Sequence, residues 1–318
     1  MSSVALTTDS PFDRRSHPCG MEFRTWQAAD GWPHRAYRWP AVAAAARGSL
    51  IFQSGRADFI EKYLEACDHW HGRGWSIEGF DWRGQGGSGR FVAGAWADNR
   101  LSFDPLIDDI IAYVDEWKAR TPGPHVMVAH SMGGHVALRA CAERGMALDA
   151  LVLVAPMLAL SLGKVPPLLA RLAVAGAQRI GLGPRAAWRD NLKSPKRQLR
   201  LTASRERYED SQWWKRETPG LALGPPSWNW LGAAMTAGAR LRRPGVLETV
   251  RTPVLLLAAG LDVLVDNRAM EQASRRLPHG EYRCWPGARH ELLREADAAR
   301  LPVFAAIDDF LDRKAAAR

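Results

Sequence analysis

No stretch of this chain approaches the roughly 18 consecutive apolar residues that a membrane-spanning helix requires. Its first residues, MSSVALTTDSPFDRR, lack a basic start followed by an apolar run, so no secretory signal is expected. Cysteine is scarce: Cys19, Cys67, Cys141 and Cys284 lie far apart with no C-x-x-C pair. That excludes a disulfide framework and a zinc site, and fits reduced thiols in a cytoplasmic protein. There is no internal repeat, no low-complexity tract, and no helix-turn-helix or RNA-binding signature, so a nucleic-acid partner is not expected. Asp68-His69-Trp70-His71 is a weak metal pattern, because it has no second cluster and a helix turns the two histidines to different faces. Neither a metal nor a cofactor is expected.

What the chain does have is an average globular composition, with 47% apolar and 24% charged residues over 318 positions. Its formal net charge of +9 is unevenly placed. Residues 157–251 hold 17 basic and 6 acidic residues, more than the whole excess, so the remainder is slightly acidic. A positive field that local attracts phosphate-bearing surfaces, although a well-solvated face has the same composition.

Residues 1–47 read as irregular and rich in Trp, Pro and Arg, with 23–26 and 35–38 as short edge strands. The Ala-rich run 41–46 reads as a linker. Short apolar runs then alternate with helical patterns: strands at 48–53, 75–82, 125–129, 151–155, 253–259 and 281–285, helices at 59–72, 106–119, 132–144 and 302–314. Such alternation predicts an α/β chain with a mostly parallel, doubly wound sheet. The rhythm breaks over 157–251, which holds helical patterns, no convincing strand, and five of the fourteen tryptophans. The expected organisation is therefore a core in two parts, 1–156 and 252–318, interrupted by a helical cap at 157–251.

In Val126-Met-Val-Ala-His130-Ser131-Met132-Gly133-Gly134 a serine stands between an apolar strand and a helix, with small residues two positions before and after. A sharp strand-to-helix turn that exposes a nucleophile needs those small side chains. Ala129 takes the place of the first glycine in G-x-S-x-G. The competing reading is a serine that caps the following helix. A serine nucleophile needs a base and an orienting acid, in the chain order Ser, Asp or Glu, His. His135 sits on the same helix and His279 in a turn before a strand, whereas His290 follows the last strand, so His290 is the favoured base. Asp262 leaves a buried strand and is the favoured acid, with Asp266 as the alternative. Either aspartate also suits a turn or a helix cap. The oxyanion donors are expected to be the backbone N–H groups of Met132 and of Arg56, with Gly55 allowing close approach.

These pieces resemble the α/β-hydrolase superfamily, and within it the bacterial lysophospholipase and monoacylglycerol lipase group, filed with the serine aminopeptidase-like hydrolases. The likeness is carried by 54–63, by Phe80-Asp-Trp-Arg-Gly-Gln-Gly-Gly-Ser-Gly89, which is similar to the family's D-x-R-G-x-G-x-S turn, by His130-Ser-Met-Gly-Gly134, and by Gly260-Leu-Asp262 with Gly287-Ala-Arg-His290. Residues 201–208 and 221–228 look like the lid of bacterial lysophospholipases. The resemblance spans roughly 45–312, and departs where lipases of this group often have His-Gly and this chain has Ser54-Gly55. It implies an α/β-hydrolase fold with a cap.

A serine triad with an oxyanion hole performs acyl transfer to water, on an ester, thioester or amide. The apolar and aromatic cap suits a single acyl chain, and its positive charge suits a phosphate-bearing head group or an anionic membrane surface. Trp213, Trp214 and Trp228, with His130 and Gly55, are the candidate substrate-binding residues, although cap tryptophans also serve simply to pack helices. The expected activity is thus that of a cytoplasmic lysophospholipase working near the inner face of a membrane. A monoacylglycerol lipase or a short-chain carboxylesterase is the alternative, an inactive hydrolase-like interaction protein the alternative from another class, and peptidase chemistry stays open.

Overall fold

The computed structural model describes residues 12–42, 46–91, 99–163, 165–188 and 195–316. The linker read at 41–46 falls partly on residues 43–45, outside the described residues.

Its centre is an eight-stranded sheet: β1 (Glu22–Gln27), β2 (Pro33–Trp39), β3 (Gly48–Gln53), β4 (Trp75–Phe80), β5 (His125–His130), β6 (Ala150–Val154), β7 (Val254–Ala259) and β8 (Gly280–Trp285), in the order β1-β2-β4-β3-β5-β6-β7-β8. Strands β3 to β8 pair in parallel. β3, β6 and β7 are buried along their whole length, as strands covered on both faces must be. The N-terminal segment contributes an antiparallel hairpin, β1 with β2, and β2 lies antiparallel to β4. The short edge strands expected at 23–26 and 35–38 are thus β1 and β2, each slightly longer than the sequence suggests, and the rest of the described N-terminal segment is irregular.

Alternate residues along each strand feed two cores. On one face Ile51, Met127, Leu151, Leu153 and Leu256 meet Ile107, Ile110 and Trp117 of α2 (Asp104–Arg120), Val136 of α3 (Met132–Arg144) and Met270 of a helix at Asn267–Arg276. On the other, Leu50, Phe52, Val126, Val128, Val152 and Leu255 meet Leu64 and Trp70 of α1 (Leu64–His71) and Phe304, Ile307 and Phe310 of a helix at Asp297–Lys314.

Between β6 and β7 the chain forms α4 (Pro167–Arg179), α5 (Pro195–Leu201), α6 (Arg205–Glu217) and α7 (Trp228–Leu241). The helix at Asn267–Arg276 is α8 and that at Asp297–Lys314 is α9. Among the described residues this β6–β7 stretch adds only single bridges, Leu160 to Val265 and Ala186 to Ser227. α4 packs on α7, and α7 buries Trp230, Ala233, Ala234 and Ala237 along one face.

The helix read at 59–72 is a 3-10 turn at Ile60–Tyr63 followed by α1, the strand read at 75–82 stops at Phe80, and two further helices differ more. α9 begins at Asp297 and carries Pro302 inside it, rather than starting there. Its first turn is held from outside: Asp297 pairs with Arg207 and Arg300 with Glu65. α8 lies outside the elements that the sequence predicts, because its apolar residues are few, Ala269, Met270 and Ala273, although Asp266 caps it by accepting the Arg268 N–H.

Candidate active site

The turn from β5 into α3 sets the geometry. Ser131 has φ 51° and ψ −113°, a strained conformation for a residue with a side chain. It is held because the Ser131 N–H donates to Val154 O at 2.9 Å and the Ser131 carbonyl accepts from Met157 and His135. Gly133 is required two residues later, since a Cβ there would lie 2.4 Å from Ser54 O. The first turn of α3 can therefore press against the loop that follows β3. The hydroxyl of Ser131 is not used to cap α3, so the capping reading does not apply.

Two other loops converge on this turn. Gly260, at the end of β7, sits so close to the loop after β8 that a Cβ would lie 2.5 Å from Pro286 Cα. Gly260 and Leu261 donate to Trp285 O and Ala288 O, which stitches the two loops together. Asp262 and His290 ride on them. His290 Nδ1 is 2.6 Å from Asp262 Oδ2, and His290 Nε2 is 3.0 Å from Ser131 Oγ. Asp262 Oδ1 accepts the N–H groups of Leu264 and Val265, fixing the carboxylate plane. Burial disfavours the charged imidazole of His290, but the adjacent Asp262 outweighs it and raises the ring above its ordinary value. Burial likewise works against the Asp262 carboxylate, and the His290 contact and two amides pull it lower. The alternatives lie elsewhere. Asp266 caps α8, His279 precedes β8, and His135 is fully buried in α3 against Phe103, where burial pushes it down to about 3.

Met132 opens α3, so its N–H belongs to the first turn, whose amides have no partner within the helix. Across from it, in the loop after β3, Gly55 donates its amide to Asp58 and Ala57 donates its own to Gln85 Oε1. The Arg56 guanidinium donates to Gly224 O at 2.6 Å and lies over the Trp230 ring, joining this loop to the β6–β7 helices. His130 is buried behind Ser131, with Nδ1 2.9 Å from the Tyr63 hydroxyl and Nε2 3.3 Å from His290 O. Burial lowers its imidazole below the ordinary value, against the pull of Asp58.

Beneath lies a buried charge cluster absent from the sequence reading. Lys62 bridges Asp58 and Glu291, and Glu291 also pairs with Arg294. Burial alone would raise Asp58, but Lys62 and His130 hold it well below the usual carboxylate range. The one local signal was Glu291 standing next to His290.

A cavity of about 430 Å³ opens over Ser131 and His290, a volume suited to a small amphiphile. Arg56, His130, Trp228 and Trp230 line it. Trp213 and Trp214 do not, which corrects their expected place: Trp214 donates to Arg14 O and is buried in the second of the two cores, and Trp213 sits edge-on to it. The reason is helical geometry, because Lys215 faces the cavity and residues one and two positions earlier are turned about 100° and 200° away. Trp230 was legible in the Trp230, Ala233, Ala234, Ala237 spacing of α7. His69 and His71 are engaged separately, with Asp308 and with Pro40 O.

Residues 44–297 match the family described as Serine aminopeptidase, S33. Lysophospholipase L2 of Escherichia coli strain K12 is 31% identical over 285 residues, covering 83% of this chain and 80% of that protein. Among solved structures, a soluble variant of monoglyceride lipase from Saccharomyces cerevisiae superposes with a TM-score of 0.76 at 19% identity, covering 96% of this chain and 98% of the other. Monoacylglycerol lipase of Paleococcus ferrophilus gives 0.67 at 20% identity, over 87% and 98%.

Proposed function

The chain belongs to the serine aminopeptidase S33 family of hydrolases, and within it we propose that it is a serine ester hydrolase of single-chain lipids, a lysophospholipase that releases a fatty acid. The observation that carries this is the unbroken chain of contacts from Asp262 through His290 to Ser131, at 2.6 and 3.0 Å, at the floor of a largely apolar cavity.

Ser131 Oγ attacks the acyl carbon while His290 Nε2 takes its proton. Asp262 keeps the Nδ1 proton of His290 directed at itself and stabilises the imidazolium that forms. The Met132 and Arg56 amides bind the tetrahedral oxyanion, each contributing about 3 kcal/mol as judged from removal of such donors. His290 then protonates the leaving alcohol, and a water deprotonated by the same ring hydrolyses the acyl-enzyme. No cofactor enters this sequence.

Residues 157–251 serve in this reading as the cap that shapes the acyl site. The excess of basic residues over this stretch, with Leu168, Leu169 and Leu172 exposed on α4, supports peripheral contact with an anionic membrane surface from the cytoplasmic side. Among the described residues no helix is long and apolar enough to cross a membrane. The similarity to E. coli lysophospholipase L2 favours the lysophospholipid, while the apolar lining would equally accept a monoacylglycerol.

The test is fatty-acid release from lysophosphatidylcholine, 1-monoacylglycerol and a short p-nitrophenyl ester, by wild type and Ser131→Ala. Release from the lysophospholipid that disappears in the variant is expected, with a loss of at least about 10⁴-fold. Equal activity of the two proteins would refute the serine mechanism, and release from the monoacylglycerol alone would refute the lysophospholipase assignment.

A further inference from the structure

The cavity above Ser131 has two chemically different walls. α4 and α7 supply Ala173, Val174, Leu231 and Met235, all apolar or small. α5 and α6 supply Arg197, Arg200 and Lys215. The acids of the lining, Asp58 and Glu291, do not neutralise that second wall. Both are bridged by Lys62, and Glu291 is further held by Arg294.

Lys215 is the clearest case. It is half-buried, lies over the Phe59 ring at 5.8 Å, and has no hydrogen bond or ion pair to any described residue. Burial, together with repulsion from Lys62 and Arg197, outweighs the attraction of Asp58 and Glu291 and pushes its ammonium down to about 8, so it is still mainly cationic at neutral pH. A half-buried ammonium with no carboxylate bonded to it is costly, and an incoming anion relieves that cost. The Arg200 guanidinium, more exposed, likewise has no ion-pair partner among the described residues. α5 and the last turn of α6 carry no acidic side chain into this wall to compete.

A single-chain glycerophospholipid has the matching asymmetry. Its scissile ester carries a long apolar chain on the acyl side and a phosphodiester a few bonds away on the alcohol side. We propose that Lys215 and Arg200 form the phosphate subsite of this cavity, gripping the head-group phosphodiester while the acyl chain lies along α4 and α7, and that they set the preference for lysophospholipids over neutral monoacylglycerols. This rests on the lysophospholipase reading above and adds the residues that discriminate.

The experiment compares kcat/KM on lysophosphatidylcholine and on 1-monoacylglycerol of the same chain length, for wild type, Lys215→Met, Lys215→Arg and Arg200→Gln. The ratio of the two constants is expected to fall about tenfold or more in Lys215→Met, carried by KM, and less in Arg200→Gln because water screens an exposed charge. Lys215→Arg should keep most of the ratio. Arg200→Gln also guards against misfolding of the Lys215 variants, since its side chain is exposed. A wild-type ratio that persists in both Lys215→Met and Arg200→Gln overturns the subsite while leaving the lysophospholipase reading intact. A wild type with no activity on the lysophospholipid overturns that reading, and the subsite with it. Glycerol 3-phosphate that suppresses monoacylglycerol hydrolysis at millimolar concentration, with no shift in ratio among the variants, would mark a site for free phosphate and overturn the substrate role.

Discussion

The carboxylate of Asp58 accepts the backbone N–H of Gly55 at 3.1 Å, which ties the loop after β3 to the buried charges beneath the serine. The same carboxylate accepts the Tyr63 hydroxyl and pairs with Lys62. The loop proposed to hold the oxyanion is therefore positioned by an ion, not by packing alone.

Asp58→Asn keeps the shape but removes that charge and strips Lys62 of one partner. Breaking a buried pair this way is expected to cost about 3 kcal/mol of stability, and kcat should fall about tenfold as the loop loosens, with KM changed less. Urea unfolding and steady-state kinetics check both. Because the Asp58 carboxyl titrates lower in the folded chain than its ordinary value of 3.8, its stabilisation is complete above that pH and is lost as pH falls below it. The stability difference between wild type and Asp58→Asn should accordingly shrink in acid.

His290 acts only when its Nε2 is unprotonated, and Asp262 raises its pKa above the ordinary 6.5. The pH profile of kcat/KM should rise through an apparent pKa above 6.5 to a plateau. Asp262→Asn removes the charge that favours imidazolium, so the limb should move to lower pH while the plateau drops about 10³- to 10⁴-fold. A limb that stays in place would show that another group controls the base.

Gly133→Ala places a methyl group 2.4 Å from the Ser54 carbonyl oxygen, which is backbone and yields little. The expected result is a loss of about 1–3 kcal/mol and a sharply lower kcat, since the first turn of α3 and the loop after β3 are forced apart. Differential scanning calorimetry with an ester assay measures the two effects together.

Trp228 and Trp213 should separate by their readouts. Trp228→Ala opens the cavity wall and is expected to raise KM for a long-chain ester about tenfold. Trp213→Ala, outside the cavity and packed edge-on against Trp214, should cost about 2 kcal/mol of stability and leave KM for the same ester within twofold. A KM rise in Trp213→Ala would return that residue to the binding site.

What the sequence determined by itself is whatever a window of some ten residues encodes. The apolar runs at β3, β5 and β7, the bounds of α3 and the order Ser131, Asp262, His290 were all readable, because strand burial, helix periodicity and tight turns are local consequences of side-chain type. Tertiary structure alone decided which distant groups meet. Lys62 and Glu291 stand 229 positions apart, and no periodicity announces a pair closed by the sheet's own crossovers. The hairpin of β1 and β2 needs β4 as a template, α8 needs a sheet face to make its sparse apolar stripe sufficient, and Trp213, Trp214 and Lys215 are consecutive yet face different surroundings through the 100° step of a helix. Residue type says what a side chain is able to do, and only the packed chain says what stands opposite it.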